Sequence, residues 1–307
     1  MKLIYKKIRF TLILGAQTDI PMPIPFLFRS IIGKQLRRLC CIAHDATCPA
    51  CIFNATCLYG TVFESVIPKD NTTLAGHDRI SHPVIIETEP FIKKNPDPIA
   101  LNLILLGDTI QHIPYFFQAI KQGGEAGILK ARIPYTIQEV FDGERLMNGD
   151  SEILDTRLSP DVWEYHAGDA ETVVRKTLLI TLNSPLRFRV NGHYTDCFSA
   201  ADFAHCLYRR TQTLCAQYGD ASDAGDYRYT GAWDITEKNL LWRDLMHYSA
   251  RQNYTMKLGG VSGSFSLSGA FTGYELALLR FAELFHAGKN TNFGLGKIGV
   301  WEKSGGK

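Results

Sequence analysis

Along residues 3–15, LIYKKIRFTLILG, the apolar Ile4, Ile8, Phe10, Leu12 and Leu14 alternate with Tyr5, Lys7, Arg9 and Thr11. A period of two predicts a β-strand with a solvated edge. It argues against a signal-peptide helix, although the segment has a basic start and a short apolar run. Residues 25–40, PFLFRSIIGKQLRRLC, then change to helical spacing. The run ALNLILLG (100–107) predicts a buried strand. After it, FFQAIKQGGEAGILKARIPYTIQEV (116–140) reads as an apolar helix, a glycine cluster, basic residues and a strand.

The same order then returns. A long strand, RKTLLITLNSPLRFRV (175–190), precedes a helix, SAADFAHCLYRRTQTLCAQY (199–218). Strand material follows in KLGGVSGSFSLSGAF (257–271). The round closes with LLRFAELFHAGKNTNFGLGKIGVWE (278–302), again helix, glycines, basic residues and strand. Strand, helix, strands, helix, strand stated twice predicts an α+β protein of two tandem ferredoxin-like (βαββαβ, RRM-like) domains. We place them at 1–150 and 173–307. The polar, glycine- and acid-bearing stretch around 142–172 reads as the linker.

Composition adds limits. The 307 residues are 45% hydrophobic and 21% charged, ordinary for a globular chain of two domains. A formal net charge of +2 announces no polyanion partner, so any RNA-binding surface must be local. No apolar run reaches the length of a membrane span, which predicts a cytoplasmic protein without a membrane partner.

Five of the eight cysteines crowd into residues 40–57, CCIAHDATCPACIFNATC. Cys48 and Cys51 form a C-P-A-C knuckle, Cys57 follows, and Cys41 or Cys40 supplies a fourth thiolate. In a reducing compartment this spacing points to a structural zinc in a small insertion of the first domain; the alternative is a set of reduced, partly buried thiols.

The other chemistry-bearing segment is HAGKNTNFGLGKIGVW (286–301). A nucleotide P-loop runs strand, glycine loop, helix, and here the order is reversed. No helix N-terminus is therefore aimed at a nucleotide phosphate. Two readings stay open. Gly288, Gly294 and Gly296 are either turn residues with positive φ, or they let the backbone approach an anion or an RNA phosphate flanked by Lys289 and Lys297. Asn290 and Asn292 complete a small, polar, basic loop. The aromatic submotif that RNA-recognition sheets use for base stacking is absent.

Taken together, WRDLMHYSARQNYTMKLGGVSGSFSLSGAF (242–271) and LLRFAELFHAGKNTNFGLGKIGVW (278–301) resemble the C-terminal half of the CRISPR repeat-processing endoribonucleases of the RAMP superfamily. Ser249, Arg251 and Gln252, the LGG-x-x-G that follows, and the H-x-G-K at 286–289 carry the likeness. LNSPLRFRV with DFAHCLYRR fits the start of the second domain, and RSIIGKQLRRLCC with TCPAC and CLYGTVFE resembles the N-terminal segment of one branch.

This resemblance implies two ferredoxin-like domains that bind one CRISPR repeat and cut precursor crRNA without a catalytic metal or other cofactor. The 2′-hydroxyl attacks the adjacent phosphate, leaving 2′,3′-cyclic phosphate and 5′-hydroxyl ends, and the product is retained. A catalytic histidine in this family lies at or just past the first helix, where His44 is found. The helix before it carries Arg29, Lys34, Arg37 and Arg38. Lys34 and Arg38, four apart, are candidates to hold the phosphate, and Arg37 is a candidate RNA contact. His286 is the alternative histidine and His247 a weaker one. Arg251, Gln252, Gly288, Lys289, Asn290, Asn292, Gly294, Gly296 and Lys297 are the RNA-binding candidates. The rival expectation is a non-catalytic RAMP scaffold that binds guide RNA within a CRISPR effector complex, with other effector subunits as partners.

Overall fold

The computed structural model describes residues 1–43, 47–54, 56–64, 81–93, 95, 98–148, 158–166, 172–222, 227–249 and 254–303. Two compact units emerge, one of Ile4–Val162 and one of Met1–Leu3 with Trp163–Lys307. Both are α+β, with antiparallel sheets.

The first unit runs β1 (Lys2–Leu14), α1 (Ile24–Cys40), β2 (Val84–Thr88), β3 (Ile99–Leu106), α2 (Ile113–Ala126), β4 (Tyr135–Phe141) and β5 (Leu146–Asn148). The sheet order is β2-β3-β1-β4-β5. Ile8, Phe10 and Leu12 of β1 form the core with Phe28, Ile32 and Leu36 of α1 and Phe116 and Ile120 of α2. The four-residue spacing of the α1 set gives that helix one apolar stripe. Arg37 and Arg38 in its last turn complement the negative end of the helix. Strand β1 is not an edge. It pairs with β3 on one side and β4 on the other. Its alternation records a covered face and a wetter face, a property that central and edge strands share.

The glycine cluster expected after α2 lies inside it. A Cβ on Gly124 would sit 2.1 Å from the Tyr135 carbonyl oxygen, and one on Gly123 would sit 2.3 Å from Ile31 Cγ2. The missing side chains let α2 press onto β4 and α1, which outweighs the ordinary helix penalty of glycine, about 1 kcal/mol each.

In the stretch expected to be linker, β5 and β6 (Asp161–Glu164) are short strands. The second unit continues with β7 (Val173–Leu186), β8 (Arg189–Val190), β9 (His193–Tyr194), α3 (Ala200–Tyr218), β10 (Gly219–Asp220), β11 (Trp233–Arg243), β12 (Met246–Ser249), β13 (Tyr254–Lys257), β14 (Gly260–Thr272), α4 (Gly273–Phe285) and β15 (Ile298–Glu302). Its main sheet has the order β11-β14-β7-β15, while β8-β9 and β12-β13 are two-stranded hairpins. Both helices open on capping boxes, Ser199 with Asp202 and Thr272 with Glu275. Leu178, Ile180, Phe265, Leu267, Phe203, Leu207, Leu278 and Ala282 build the core between sheet and helices. Among the described residues no helix is long and apolar enough to cross a membrane.

Candidate nucleic-acid interface

The glycine loop begins where α4 stops. His286 takes a φ of 60° and ends the helix, with its side chain wholly buried and its Nδ1 3.0 Å from the Leu295 carbonyl oxygen. The Ala287 N–H donates to the Gly296 carbonyl at 2.8 Å, closing the loop at its base. From outside, the Gly296 N–H donates to the Pro185 carbonyl (2.9 Å) and the Lys289 N–H to the Arg187 carbonyl (2.7 Å). At Gly288, φ is 75° and a Cβ would meet the Arg187 carbonyl oxygen at 2.4 Å; at Gly296, φ is 78° and the clash is with the Ala287 carbonyl oxygen at 1.9 Å. Gly294 and Asn290 are also left-handed, at 74° and 60°. These positions need glycine, or asparagine at 290, for the fold alone.

Helix α3 holds the loop from a third side. One Nη of Arg210 donates to the Phe285 carbonyl (3.1 Å) and to Thr291 Oγ1 (2.8 Å), spanning the loop's start and middle. Arg210 Nε is sealed from solvent with no acceptor among the described residues. Burial lowers this guanidinium to about 10, still protonated at neutral pH. Burial also pushes the neighbouring Cys206 thiol up to about 12, although the Gly288 N–H points at it. Arg209, next along α3, is exposed. In the sequence the two arginines are adjacent and alike. The signal was available, since Phe203, Leu207, Arg210 and Leu214 follow the spacing of the buried stripe.

The loop residues therefore divide. Asn292 and Thr291 are buried, Lys297 and Asn290 are half-buried, and Lys289 stands in solvent. His247, on β12, is buried edge-on against the loop's Phe293 at 4.8 Å. The β12-β13 hairpin thus lies beside the loop. Arg251 and Gln252, between its two strands in sequence, lie outside the described residues.

In the first unit, α1 also separates its basic residues. Arg29 sits 5.2 Å from the Phe63 ring centroid and Arg37 6.0 Å from that of Tyr59, while the two rings stack at 5.5 Å. Gly33 lies between them, its would-be Cβ 3.1 Å from Phe63. Positions 29, 33 and 37 thus face a cover formed by residues 57–64. Burial lowers Arg29 to about 10. Lys34 and Arg38 point the other way and are exposed, one turn apart. Arg37, expected to touch RNA, is packed against protein. His44 lies outside the described residues.

Cys40, Cys41, Cys48, Cys51 and Cys57 are free and half-buried. Cys40, Cys48 and Cys57 pack on the first unit's core, and burial, then the nearby Cys57 and Cys41, raises Cys40. Among the described residues no group of three or more His, Cys, Asp or Glu is gathered as a metal site.

A family model described as CRISPR-associated endoribonuclease Cas6 matches residues 180–298, and another, the AF_1859 N-terminal domain, matches residues 3–161. A Thermus thermophilus Cas6 is similar in structure, with a TM-score of 0.51 and 12% identity over 97% of this chain and 99% of its own. A Cas6 product complex gives 0.52 at 13% identity, covering 97% of this chain and 99% of that one. A chain of a partial Cas6-RT-Cas1–Cas2 complex gives 0.57 at 13% identity, covering 98% of this chain and 46% of that longer one. No curated protein matches the chain. Such identities speak for the fold, and the family models speak for the sequence of each half. Residues 180–298 thus match the sequence of a CRISPR-associated endoribonuclease Cas6 domain, and the chain as a whole shares the fold of Cas6 proteins.

Proposed function

We propose that this chain binds CRISPR repeat RNA and cuts precursor crRNA by metal-independent attack of a 2′-hydroxyl on the adjacent phosphate, retaining the product. The expected ends are a 2′,3′-cyclic phosphate and a 5′-hydroxyl. The observation that carries this reading is the glycine loop, braced from three sides while Lys289 is left in solvent. A backbone fixed before binding needs no ordering when a phosphate arrives. The strand orders β2-β3-β1-β4 and β11-β14-β7-β15 support tandem ferredoxin-like units.

The chemistry needs a base, an acid and a cation for the charge that gathers on the phosphorane. In this reading Lys34 and Arg38, exposed on one face of α1, supply the cation, and His44 moves a proton. A histidine titrates in the range that serves either proton role. His286 acts on the loop through the Leu295 carbonyl rather than on the RNA. RNA and, by analogy with the Cas6-RT-Cas1–Cas2 assembly, other CRISPR proteins are the partners.

The test is incubation of the full chain with repeat RNA in EDTA, followed by analysis of the product ends. Cleavage to a cyclic phosphate is expected, with His44→Ala slower by roughly a hundred-fold and binding nearly intact. Tight binding without cleavage would replace the nuclease with the guide-RNA scaffold.

A further inference from the structure

The hairpin β8-β9 follows β7 and begins at the end of the LNSPLRFRV segment. Its turn is Asn191-Gly192, with φ of 50° and 83°, the backbone of a tight two-residue hairpin turn. Across that turn Arg189 faces Tyr194. The Arg189 guanidinium lies 4.8 Å from the Tyr194 ring centroid, and the Arg187 guanidinium lies 3.6 Å from the same centroid. One aromatic ring thus organises two cations.

The two arginines do different things. Arg187 is half-buried, donates to the Gly259 carbonyl, and has its Nε sealed from solvent without an acceptor among the described residues. Its own carbonyl receives the Lys289 N–H, so the hairpin root is stitched to the glycine loop. Asp244 is the carboxylate that feels Arg187, and it is already engaged by Trp242 Nε1 (2.9 Å) and Lys257 (3.5 Å). Arg189, His193 and Lys289 are exposed, and among the described residues no carboxylate pairs with Arg189 or Lys289. A folding role would be served by Arg187 alone. The exposed Arg189, steadied on a ring and without a counter-ion among the described residues, is placed to meet a ligand.

We infer that the β8-β9 hairpin is a second RNA contact that takes one unpaired nucleotide of the strand bound at the glycine loop. The phosphate lies between Arg189 and Lys289, and the base stacks on the Arg189–Tyr194 layer. Guanidinium planes and tyrosine rings are surfaces on which splayed-out bases stack, and every base offers such a face. An acidic peptide would satisfy the charges but leave the aromatic layer unused. The inference rests on the proposed RNA binding and adds a position to it.

The experiment uses the full chain, repeat RNA, a scan of repeat RNAs each carrying one abasic site, and an unstructured RNA of mixed sequence. Arg189→Ala and Tyr194→Leu should each weaken repeat binding by roughly 5- to 150-fold, the span of one base stack. Arg189→Lys should recover only the salt-dependent part. For Arg189→Ala, the log-log salt slope should fall by about 0.7, one single-strand phosphate. One abasic position should weaken the wild-type chain and leave the Arg189→Ala chain indifferent. Melting curves separate a misfolded variant from one that folds but grips RNA less well, and Arg189→Lys serves as the fold-neutral variant. Tight repeat binding that both hairpin variants keep, or no abasic position coupled to Arg189, overturns the inference alone. Failure of the wild-type chain to bind either RNA overturns the proposed function together with it.

Discussion

Gly296→Ala tests whether the glycine loop is glycine-rich for the fold or for its ligand. The residue has a φ of 78°, and the added Cβ would lie 1.9 Å from the Ala287 carbonyl oxygen. A left-handed backbone costs a residue with a side chain about 1–2 kcal/mol. Forcing the Ala287 peptide aside costs about 1–3 kcal/mol more, as overpacking does elsewhere. The same shift disturbs the bond from the Ala287 N–H to the Gly296 carbonyl. The expected loss is therefore about 2–5 kcal/mol. For a unit of this size that lowers the melting temperature by roughly 4–20 °C. Calorimetry of the full chain measures it, with repeat-RNA affinity taken well below the transition. RNA affinity should fall in step with stability. A melting shift under about 1 °C with a large loss of affinity would refute the reasoning. The glycine would then be kept for close approach of phosphate, and the packing clash would be irrelevant.

Arg210→Met should lower stability by about 1–3 kcal/mol through the Phe285 carbonyl it leaves without its donor, read as a drop in the melting temperature; an unchanged melt would show that the loop does not need this brace. Lys34→Ala with Arg38→Ala should lower stability by no more than about 1 kcal/mol, through the helix end that Arg38 complements, while slowing single-turnover cleavage and flattening the log-log salt slope of binding by about 0.7 for each phosphate that the side chains had neutralised; a full rate in the double variant would clear α1 of any catalytic part. In native protein at pH 8 the exposed Cys197 should alkylate readily, while Cys215, buried and raised to about 12, should resist until the chain unfolds. Mass mapping of the modified thiols decides this, and early labelling of Cys215 would contradict the packing. Zinc analysis of protein purified without chelator tests the cysteine segment, with about one zinc per chain expected if Cys48, Cys51, Cys57 and Cys41 close around a metal; a metal-free protein leaves them as core and surface thiols.

The doubled order of strands and helices was legible because each element carries its own period. Two-residue alternation marked β1, and helical spacing over residues 25–40 marked α1. Local chemistry also placed the glycine loop between α4 and β15, since positive φ and small side chains are properties of the residues themselves. What the sequence could not rank was which neighbour each residue meets. Gly123 and Gly124 look like a helix end until Ile31 and Tyr135 are seen to need their missing side chains. Arg37 and Arg38 are adjacent and alike, yet one lies against Tyr59 and the other is exposed, because the cover from residues 57–64 falls on one face of α1. His286, beside a lysine and a glycine, looks available for catalysis, and the chain's turn back onto Leu295 encloses it. Hydrophobic period and backbone preference are written residue by residue, so they determine the elements and their order. Burial of a histidine, bracing by Arg210 and the pairing of Arg189 with Tyr194 arise from contacts between segments distant in the chain or folded back on themselves, and only the tertiary structure decides them.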